Sequence, residues 1–210
     1  MDIMRLHLDN PNYPSQVKHY LGEQAPASIN ILGNTDILHH NKLALFCSVK
    51  CPGNLILQTY DLAQSLREAG IKVISGFHSP MERECLMILL RGTQPVIVCP
   101  ARSIRGMWLK KDLKHLVANG QVLFLSPFTE EQRRITTETA IMRNRFVAAI
   151  ADSIFVAYAA PGSKMEQLCK EILVWRKPLY MLENVANDKL ISIGAIPVTP
   201  DSIAIKMVIS

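Results

Sequence analysis

The sequence predicts an α/β protein with a Rossmann-like, doubly wound, mostly parallel sheet that carries helices on both faces. Short apolar runs rich in Val, Ile, Leu and Phe recur along the chain without polar alternation. Such runs are typical of strands that are buried on both faces of a parallel sheet. Stretches with apolar residues at helical spacing separate most of the runs, and this alternation over short links favours the doubly wound arrangement.

Six apolar runs are the predicted strands, and five helical patterns lie between them. The strands are Lys42–Cys47, Ile71–Ser75, Pro95–Cys99, Gln121–Ser126, Ser153–Ala159 and Pro178–Leu182. The helices are Leu55–Ala69, Pro80–Arg91, Gly106–Asn119, Glu130–Ala151 and Lys164–Trp175. A glycine follows each of the first three helices, where a left-handed residue often ends a helix.

The two ends of the chain differ from this pattern. Residues 1–40 contain short pieces separated by Pro and Gly, and we predict a lead-in that packs on a main domain of residues 41–210. After Glu183 the sequence is irregular. The run Leu190–Pro200 predicts one edge strand, because proline cannot donate a sheet hydrogen bond and Pro197 confines the strand to an edge.

Charge, the length of apolar runs and the number of cysteines limit the classes of protein to which the chain can belong. The 210 residues carry a formal charge of +5, which permits an anionic partner without requiring one. No apolar run reaches the ~20 residues of a membrane span, and the N-terminus lacks the apolar segment of a secretory signal. Five cysteines are an odd number, so we predict no disulfide framework and a cytoplasmic location. Cys47 and Cys51 have no second ligand pair at zinc-site spacing, so no metal site is predicted.

In an open parallel sheet, ligands bind at the carboxyl ends of the strands. The strand-to-helix junctions are therefore the candidate sites. They are Cys47–Asn54, Ser75–Glu82, Cys99–Gly106, Ser126–Arg134 and Ala159–Glu166.

Two of these junctions carry helix-capping patterns. Ser79 and Glu82 flank a proline at the first helical position, and Ser163 and Glu166 repeat the S-x-x-E spacing. One interpretation is a purely structural cap. The other is a phosphate site, because a helix N-terminus presents free N–H groups.

The junction before the last predicted helix is the best phosphate candidate. Gly162 lets the backbone approach a ligand closely, Ser163 can donate a hydrogen bond, and Lys164 adds charge. The spacing is not that of a P-loop, and no G-x-G-x-x-G follows the first predicted strand. No cofactor is therefore predicted.

Basic residues concentrate at the junctions and near the long fourth helix. They are Lys50, Arg102, Arg105, Arg133, Arg134, Arg143, Arg145 and Lys164. Arg143 and Arg145 are two positions apart and do not share a helical face. Either these side chains solvate the surface, or several of them converge on a nucleic-acid backbone, which requires repeated phosphate contacts. Phe77, Trp108 and Phe128 are the candidates for base stacking.

Evidence for catalysis is weak. His78 follows a strand end and could act as an acid or base, but no carboxylate is placed to orient it. No catalytic residue is predicted, and the residues favour a protein that is not an enzyme.

The segment MRNRFVAAIADSIFVAYAAPGSK, Met142–Lys164, resembles the DprA/Smf family, the DNA-processing proteins of bacterial transformation. Members of that family carry R-N-R-x-x-A-x-[LI] before a buried strand and then a Gly/Ser-rich turn. Further segments are similar in the same order along nearly the whole chain: NYPSQV to Y-P-x-x-L, ILGNTDIL to G-N-x-x-x-L, GIKVISGF to G-x-x-V-V-S-G-L, and LISIGAIPV to L-I-x-x-G-A.

The resemblance implies a homodimeric Rossmann-like protein that binds single-stranded DNA in a basic pocket, without catalysis, and helps to load a RecA-type recombinase. The positions it implies for the pocket are Ser48, Ser75, Gly76, Arg143, Asn144, Arg145, Gly162, Ser163 and Lys164. Inspection of the junctions adds Lys50, His78, Ser79 and Arg102 to the predicted DNA- or phosphate-binding residues.

The chain departs from the family at two motifs. The G-S-R after the first strand is replaced by Cys47-Ser48-Val49, and the A-R-G-I-D after S-G-L is replaced by His78–Glu82. The sequence also ends where many members add a winged-helix domain. These features indicate a divergent, short member.

Besides a scaffold whose junctions only cap helices, two other functions stay open from sequence. One is a Rossmann-like nucleotide-binding sensor. The other is a nucleotide hydrolase of the LOG type, whose P-G-G-x-G-T-x-x-E turn is similar here only in Pro161-Gly162 and the nearby Glu166.

Overall fold

A computed structural model describes residues 2–209, with the side chains of residues 204, 205 and 207–209 left out of the description. The strands are β1 (Met4–His7), β2 (Ser28–Leu32), β3 (Lys42–Phe46), β4 (Lys72–Ser75), β5 (Val96–Val98), β6 (Val122–Ser126), β7 (Ser153–Val156), β8 (Leu179–Leu182) and β9 (Ile196–Val198). The helices are α1 (Ser15–Leu21), α2 (Gly53–Glu68), α3 (Pro80–Leu89), α4 (Lys111–Ala118), α5 (Thr137–Ile150), α6 (Lys164–Val174), α7 (Asp188–Ile191) and α8 (Pro200–Ile209).

The described strands form one sheet in the order β1-β2-β6-β5-β4-β3-β7-β8-β9. All neighbours from β6 to β9 are parallel, whereas β1 and β2 pair antiparallel with each other and β2 pairs antiparallel with β6. The predicted mostly parallel, doubly wound sheet is confirmed. The six predicted strands all form, and β9 lies at the sheet edge as Pro197 predicts.

Helices cover both faces of the sheet, as predicted. Residues of α1, α5, α6 and α7 pack in one buried cluster, whereas α2, α3 and α8 contribute to another and α4 to a third. Successive residues of β3, from Leu43 to Phe46, are all buried and point alternately into the first two clusters. Burial on both sides explains why the strands read as continuous apolar runs.

Two predicted helices begin later than expected. The fourth was predicted from Glu130, but α5 begins at Thr137, because Thr136 and Thr139 cap one another through reciprocal side-chain to backbone bonds. The third was predicted from Gly106, which adopts a left-handed φ of 70°, and α4 begins only at Lys111. Both predictions mistook exposed loops at the carboxyl edge of the sheet for helix.

The first 40 residues contain α1 and two strands that extend the main sheet. β2 pairs with β6 in the register Asn30↔Ser126 and Leu32↔Phe124. β1 pairs with β2 and forms the other edge. This segment is therefore continuous with the sheet in hydrogen bonding, although the sequence reads as a lead-in.

Among the described residues, no helix is both long enough and apolar enough to cross a membrane.

Candidate nucleic-acid interface

The crevice between β3 and β7 is the switch point of the sheet. From β3 the chain adds β4, β5 and β6 on one side and then returns through α5 to place β7 on the other. The loops after β3 and β7 diverge at this point, where open α/β sheets bind ligands. Ser48 joins the two loops: its N–H donates to the Tyr158 carbonyl (2.9 Å), and its Oγ accepts from the Ala160 N–H (2.9 Å). Ser48 is buried, so its hydroxyl holds the loops together.

Glu82 fills the N-terminus of α3. Its buried carboxylate accepts hydrogen bonds from the N–H groups of Cys47 (3.2 Å), His78 (2.9 Å) and Ser79 (3.0 Å). The Ser79 Oγ in turn accepts from the Glu82 N–H, which completes the predicted capping box. The structural interpretation of this junction is therefore supported. The loop leaves the His78 ring exposed, while Ser79 is buried.

A second buried carboxylate organises the loop after β7. Glu166 Oε2 accepts from the Gly162 N–H (2.8 Å), and its Oε1 lies 2.8 Å from Lys189 Nζ. The hydrogen bond from Lys189, and then that from Gly162, lower the pKa of Glu166. Ser163 Oγ accepts from the Glu166 N–H (3.2 Å) and caps α6. Lys164 remains exposed beside this loop.

Arg143 lies beneath the loops rather than on their surface. It is 5% exposed; its Nη1 donates to the Cys99 carbonyl (3.0 Å) and its Nε to Asn144 Oδ1 (2.7 Å). A Cβ placed on Gly76 would lie 1.2 Å from Arg143 Nη1. The guanidinium thus occupies the space left by the missing side chain of Gly76. The fully buried Ser75, whose Oγ accepts from the Phe77 N–H, lies in the same layer.

Arg145 points in another direction, as the two-residue spacing predicts. Its Nε contacts both carboxylate oxygens of Glu171 (2.9 and 3.0 Å), and its Nη2 lies 2.6 Å from Oε1. Its Nη1 donates to Gln24. This pairing joins α5 to α6 and to the turn after α1, away from Arg143.

An arginine-lined cavity of about 420 Å³ lies at the carboxyl ends of β5 and β6. Its lining consists of Arg102, Ser103, Arg105, Gly106, Met107 and Arg133. Two contacts fix its walls: the Ser103 N–H donates to the Gln132 carbonyl (2.7 Å), and Ser126 Oγ donates to the Arg102 carbonyl (2.9 Å). The sequence marks Arg105 and Arg133 as basic but does not join them to Arg102, because the cavity depends on the pairing of two loops.

Five neighbouring strands are each followed by a basic side chain at this edge. In sheet order they are Arg133 after β6, Arg102 after β5, His78 after β4, Lys50 after β3 and Lys164 after β7. All are exposed or partly exposed, and within residues 2–209 none of them forms a salt bridge. Because neighbouring strands lie ~4.8 Å apart, the ends of the five strands that precede these residues span about 19 Å. We call these five residues the basic row.

Only one of the three predicted stacking residues is accessible. Trp108, two residues after Gly106, is 77% exposed, whereas Phe77 and Phe128 are each 5% exposed and belong to the interior. Trp108 directly follows Met107, which lines the arginine cavity. Trp108 thus lies on the same loop, between β5 and α4, as the cavity residues Arg102 and Arg105.

The cysteines near the crevice remain thiols in the structure. Cys47 is buried and Cys51 is half-buried. A hydrogen bond between them raises the pKa of Cys47 and lowers that of Cys51. Across residues 2–209, no group of three or more His, Cys, Asp or Glu side chains is arranged to hold a metal ion.

Comparison with known proteins gives both a family and a fold. The sequence model of a family described as DNA recombination-mediator protein A matches residues 5–205. No curated protein matches the chain.

Among solved structures, DNA processing protein A (DprA) from Streptococcus pneumoniae superposes with a TM-score of 0.79 at 20% identity, covering 96% of this chain and 73% of that one. DNA processing protein A from Helicobacter pylori, studied for its single-stranded DNA binding mode, gives 0.79 at 19% identity, covering 99% and 96%. The molybdenum cofactor binding protein of Rippkaea orientalis is more distant, at 0.56 and 13% identity, covering 81% and 98%. At these identities the likeness shows the fold alone.

Proposed function

The chain belongs to the DprA/Smf family, described as DNA recombination-mediator protein A, and from this premise we propose that it binds single-stranded DNA along the basic row without catalysing a reaction. The observation that carries the proposal is the row itself. Five adjacent loops each present a basic side chain that forms no salt bridge in the described part of the chain. Repeated cations along a groove are what a phosphate backbone requires.

The carboxylates near the row support this assignment. Glu82 and Glu166 are turned onto backbone N–H groups, so neither is directed at a ligand over the row. The buried members of the predicted site, among them Ser48, Ser75 and Arg143, hold the loops that carry the cations. In this proposal Lys50, His78, Arg102 and Lys164 contact phosphate, joined by Arg133. The remaining predicted residues shape the loops, except Arg145, which joins α5 to α6.

The same contacts argue against a nucleotide hydrolase. Glu166 would be its catalytic carboxylate, yet this side chain is buried and bonded to Gly162 and Lys189. Release of free base from a nucleoside monophosphate by the wild type, abolished by Glu166→Gln, would overturn the non-catalytic proposal.

The family description, a recombination mediator, also supports a step that follows DNA binding. We propose that a homodimer in the cytoplasm passes the bound strand to a RecA-type recombinase. Light scattering of the purified chain tests the dimer. The rate of recombinase filament assembly on a protein-covered strand tests the transfer.

The double variant Arg102→Gln/Arg133→Gln is expected to weaken binding of a labelled oligo(dT) of ~30 nucleotides by tenfold or more. Two lost phosphate contacts on a single strand would reduce the log–log salt slope by about 1.4. Fluorescence anisotropy across a salt series measures both quantities.

The matched control is Arg91→Gln/Arg176→Gln, which removes two exposed arginines that follow α3 and α6 at the opposite edge of the sheet. It should retain the wild-type slope. Equal losses in the two double variants, or no binding by the wild type at low salt, would contradict the proposal.

Trp108→Ala is expected to weaken the same binding by roughly 5- to 150-fold with little change in salt slope, because base stacking contributes ~1–3 kcal/mol without ion release. Trp108→Phe should retain most of the affinity. Intrinsic fluorescence gives a second readout, since the other tryptophan, Trp175, packs against Tyr20 and reports on folding. A Trp108→Ala variant with wild-type affinity would exclude this residue from the interface.

A further inference from the structure

A carboxylate shared by two arginines lies beside the basic row. Glu130 Oε1 accepts from Arg5 Nη2 (2.9 Å) and also from Arg105 Nη1. All three side chains are partly exposed to solvent. Two guanidinium groups that come from β1 and from the loop after β5 therefore converge on one anionic oxygen.

Arg5 is held in position for this contact. Its Nε donates to Asn30 Oδ1 (3.1 Å), and Asn30 Nδ2 donates to the Phe128 carbonyl (2.8 Å). Asn30 is only 5% exposed, so a buried amide orients the arginine. A guanidinium fixed by one nitrogen keeps its remaining donors available for an anion.

Arg105 connects this cluster to the arginine cavity. It lines the 420 Å³ cavity with Arg102 and Arg133, and it also lines a second cavity of about 510 Å³ with Arg5, Asn30 and Glu130. Asp2 and Ile3 complete the second lining. The two cavities therefore adjoin at Arg105, and a chain of phosphates that enters the first can reach the second.

We propose that Arg5 and Arg105 form a further phosphate-binding site for a phosphodiester of single-stranded DNA, and that the Glu130 carboxylate occupies this site until DNA displaces it. The inference rests on the proposed function. A carboxylate and a phosphate present similar oxygen acceptors to arginine. A partly exposed ion pair contributes little stability, so the exchange is inexpensive.

The position of Glu130 in the chain permits this exchange. It lies in the irregular segment between β6 and α5, in which residues 131–136 are all exposed. The Glu130 carboxylate competes with any single weak anion, whereas a strand that also contacts Arg102 and Arg133 can displace it. Glu130 thus selects polyanions over isolated phosphate groups.

The deciding variant is Glu130→Gln, compared with Glu138→Gln, which removes the same charge at the start of α5 from an exposed side chain that forms no salt bridge within residues 2–209. In oligo(dT) anisotropy, Glu130→Gln is expected to tighten binding by on the order of fivefold and to steepen the salt slope by about 0.7 or more. Glu138→Gln should change affinity less than twofold. Equal effects of the two variants would overturn the inference.

Introducing Arg105→Gln into the wild type and into Glu130→Gln completes the test. It should lower affinity more in Glu130→Gln than in the wild type, because the glutamate no longer masks Arg105. Inorganic phosphate and thymidine monophosphate serve as competitors. If either competes with oligo(dT) far better in Glu130→Gln than in the wild type, Glu130 excludes small anions as inferred, and an unchanged competition would contradict that selectivity.

DNA binding by the wild type distinguishes a failure of this inference from a failure of the proposed function. Absence of salt-dependent DNA binding in the wild type and in both glutamine variants would reject the proposed function. Wild-type binding that depends on Arg102 and Arg133 but is unaffected by Glu130→Gln would reject only the Arg5–Arg105 site.

Discussion

Replacing Lys177 with methionine is expected to lower the free energy of unfolding by about 3–5 kcal/mol, roughly 1–2 kcal/mol for each buried carbonyl that loses its donor. Lys177 is 6% exposed, and its Nζ donates to the carbonyls of Ala148 (2.9 Å), Ala149 (2.6 Å) and Ala151 (2.5 Å). These carbonyls end α5 and its C-cap, where the last turn of a helix has no backbone donors of its own. Methionine fills the space but leaves three buried acceptors unpaired.

Urea unfolding followed by circular dichroism measures this loss. Lys18→Met is a suitable control, since Lys18 also belongs to a helix of the same face but is exposed, and the change there should stay within about 0.5 kcal/mol. Lys177 Nζ also lies 4.1 Å from the centre of the Tyr20 ring, so Tyr20→Leu should share part of the loss. A Lys177→Met variant within 1 kcal/mol of the wild type would show that the carbonyls find other donors.

The parts of the fold that could be predicted from sequence are those with a local signal. Each parallel strand is a continuous apolar run, because both of its faces are buried and successive residues are therefore all apolar. The Ser79–Glu82 cap was equally readable, since both of its hydrogen bonds join residues three positions apart. Pro197 likewise predicted that β9 is an edge strand, because proline cannot donate a sheet hydrogen bond.

The remaining features depend on contacts between distant residues. β2 is recognisable only through its pairing with β6, and Glu130 meets Arg5 across 125 positions of sequence. The spacing of Arg143 and Arg145 correctly placed them on different faces of α5. It could not show which face was interior, because the space for Arg143 is made by a glycine on another element.

Arg143→Met is expected to destabilise the fold by about 2–4 kcal/mol, and this second large effect separates a structural arginine from a binding one. The variant leaves the Cys99 carbonyl without its guanidinium donor and leaves part of the space beneath Gly76 empty. The folded fraction should nevertheless bind oligo(dT) with an unchanged salt slope, since a 5% exposed arginine releases few counterions on binding.

Gly76→Ala provides the partner for a double-mutant cycle. In the wild type the new methyl group would lie 1.2 Å from Arg143 Nη1, so the guanidinium must leave its place and its hydrogen bond to Cys99. In Arg143→Met the flexible thioether can yield, and Gly76→Ala should destabilise that variant less by at least 1 kcal/mol. Additive losses would mean that Gly76 is required for some reason other than Arg143. A reduced salt slope in Arg143→Met would instead place this guanidinium among the groups that contact DNA, because the loss of a cation that neutralises phosphate reduces that slope.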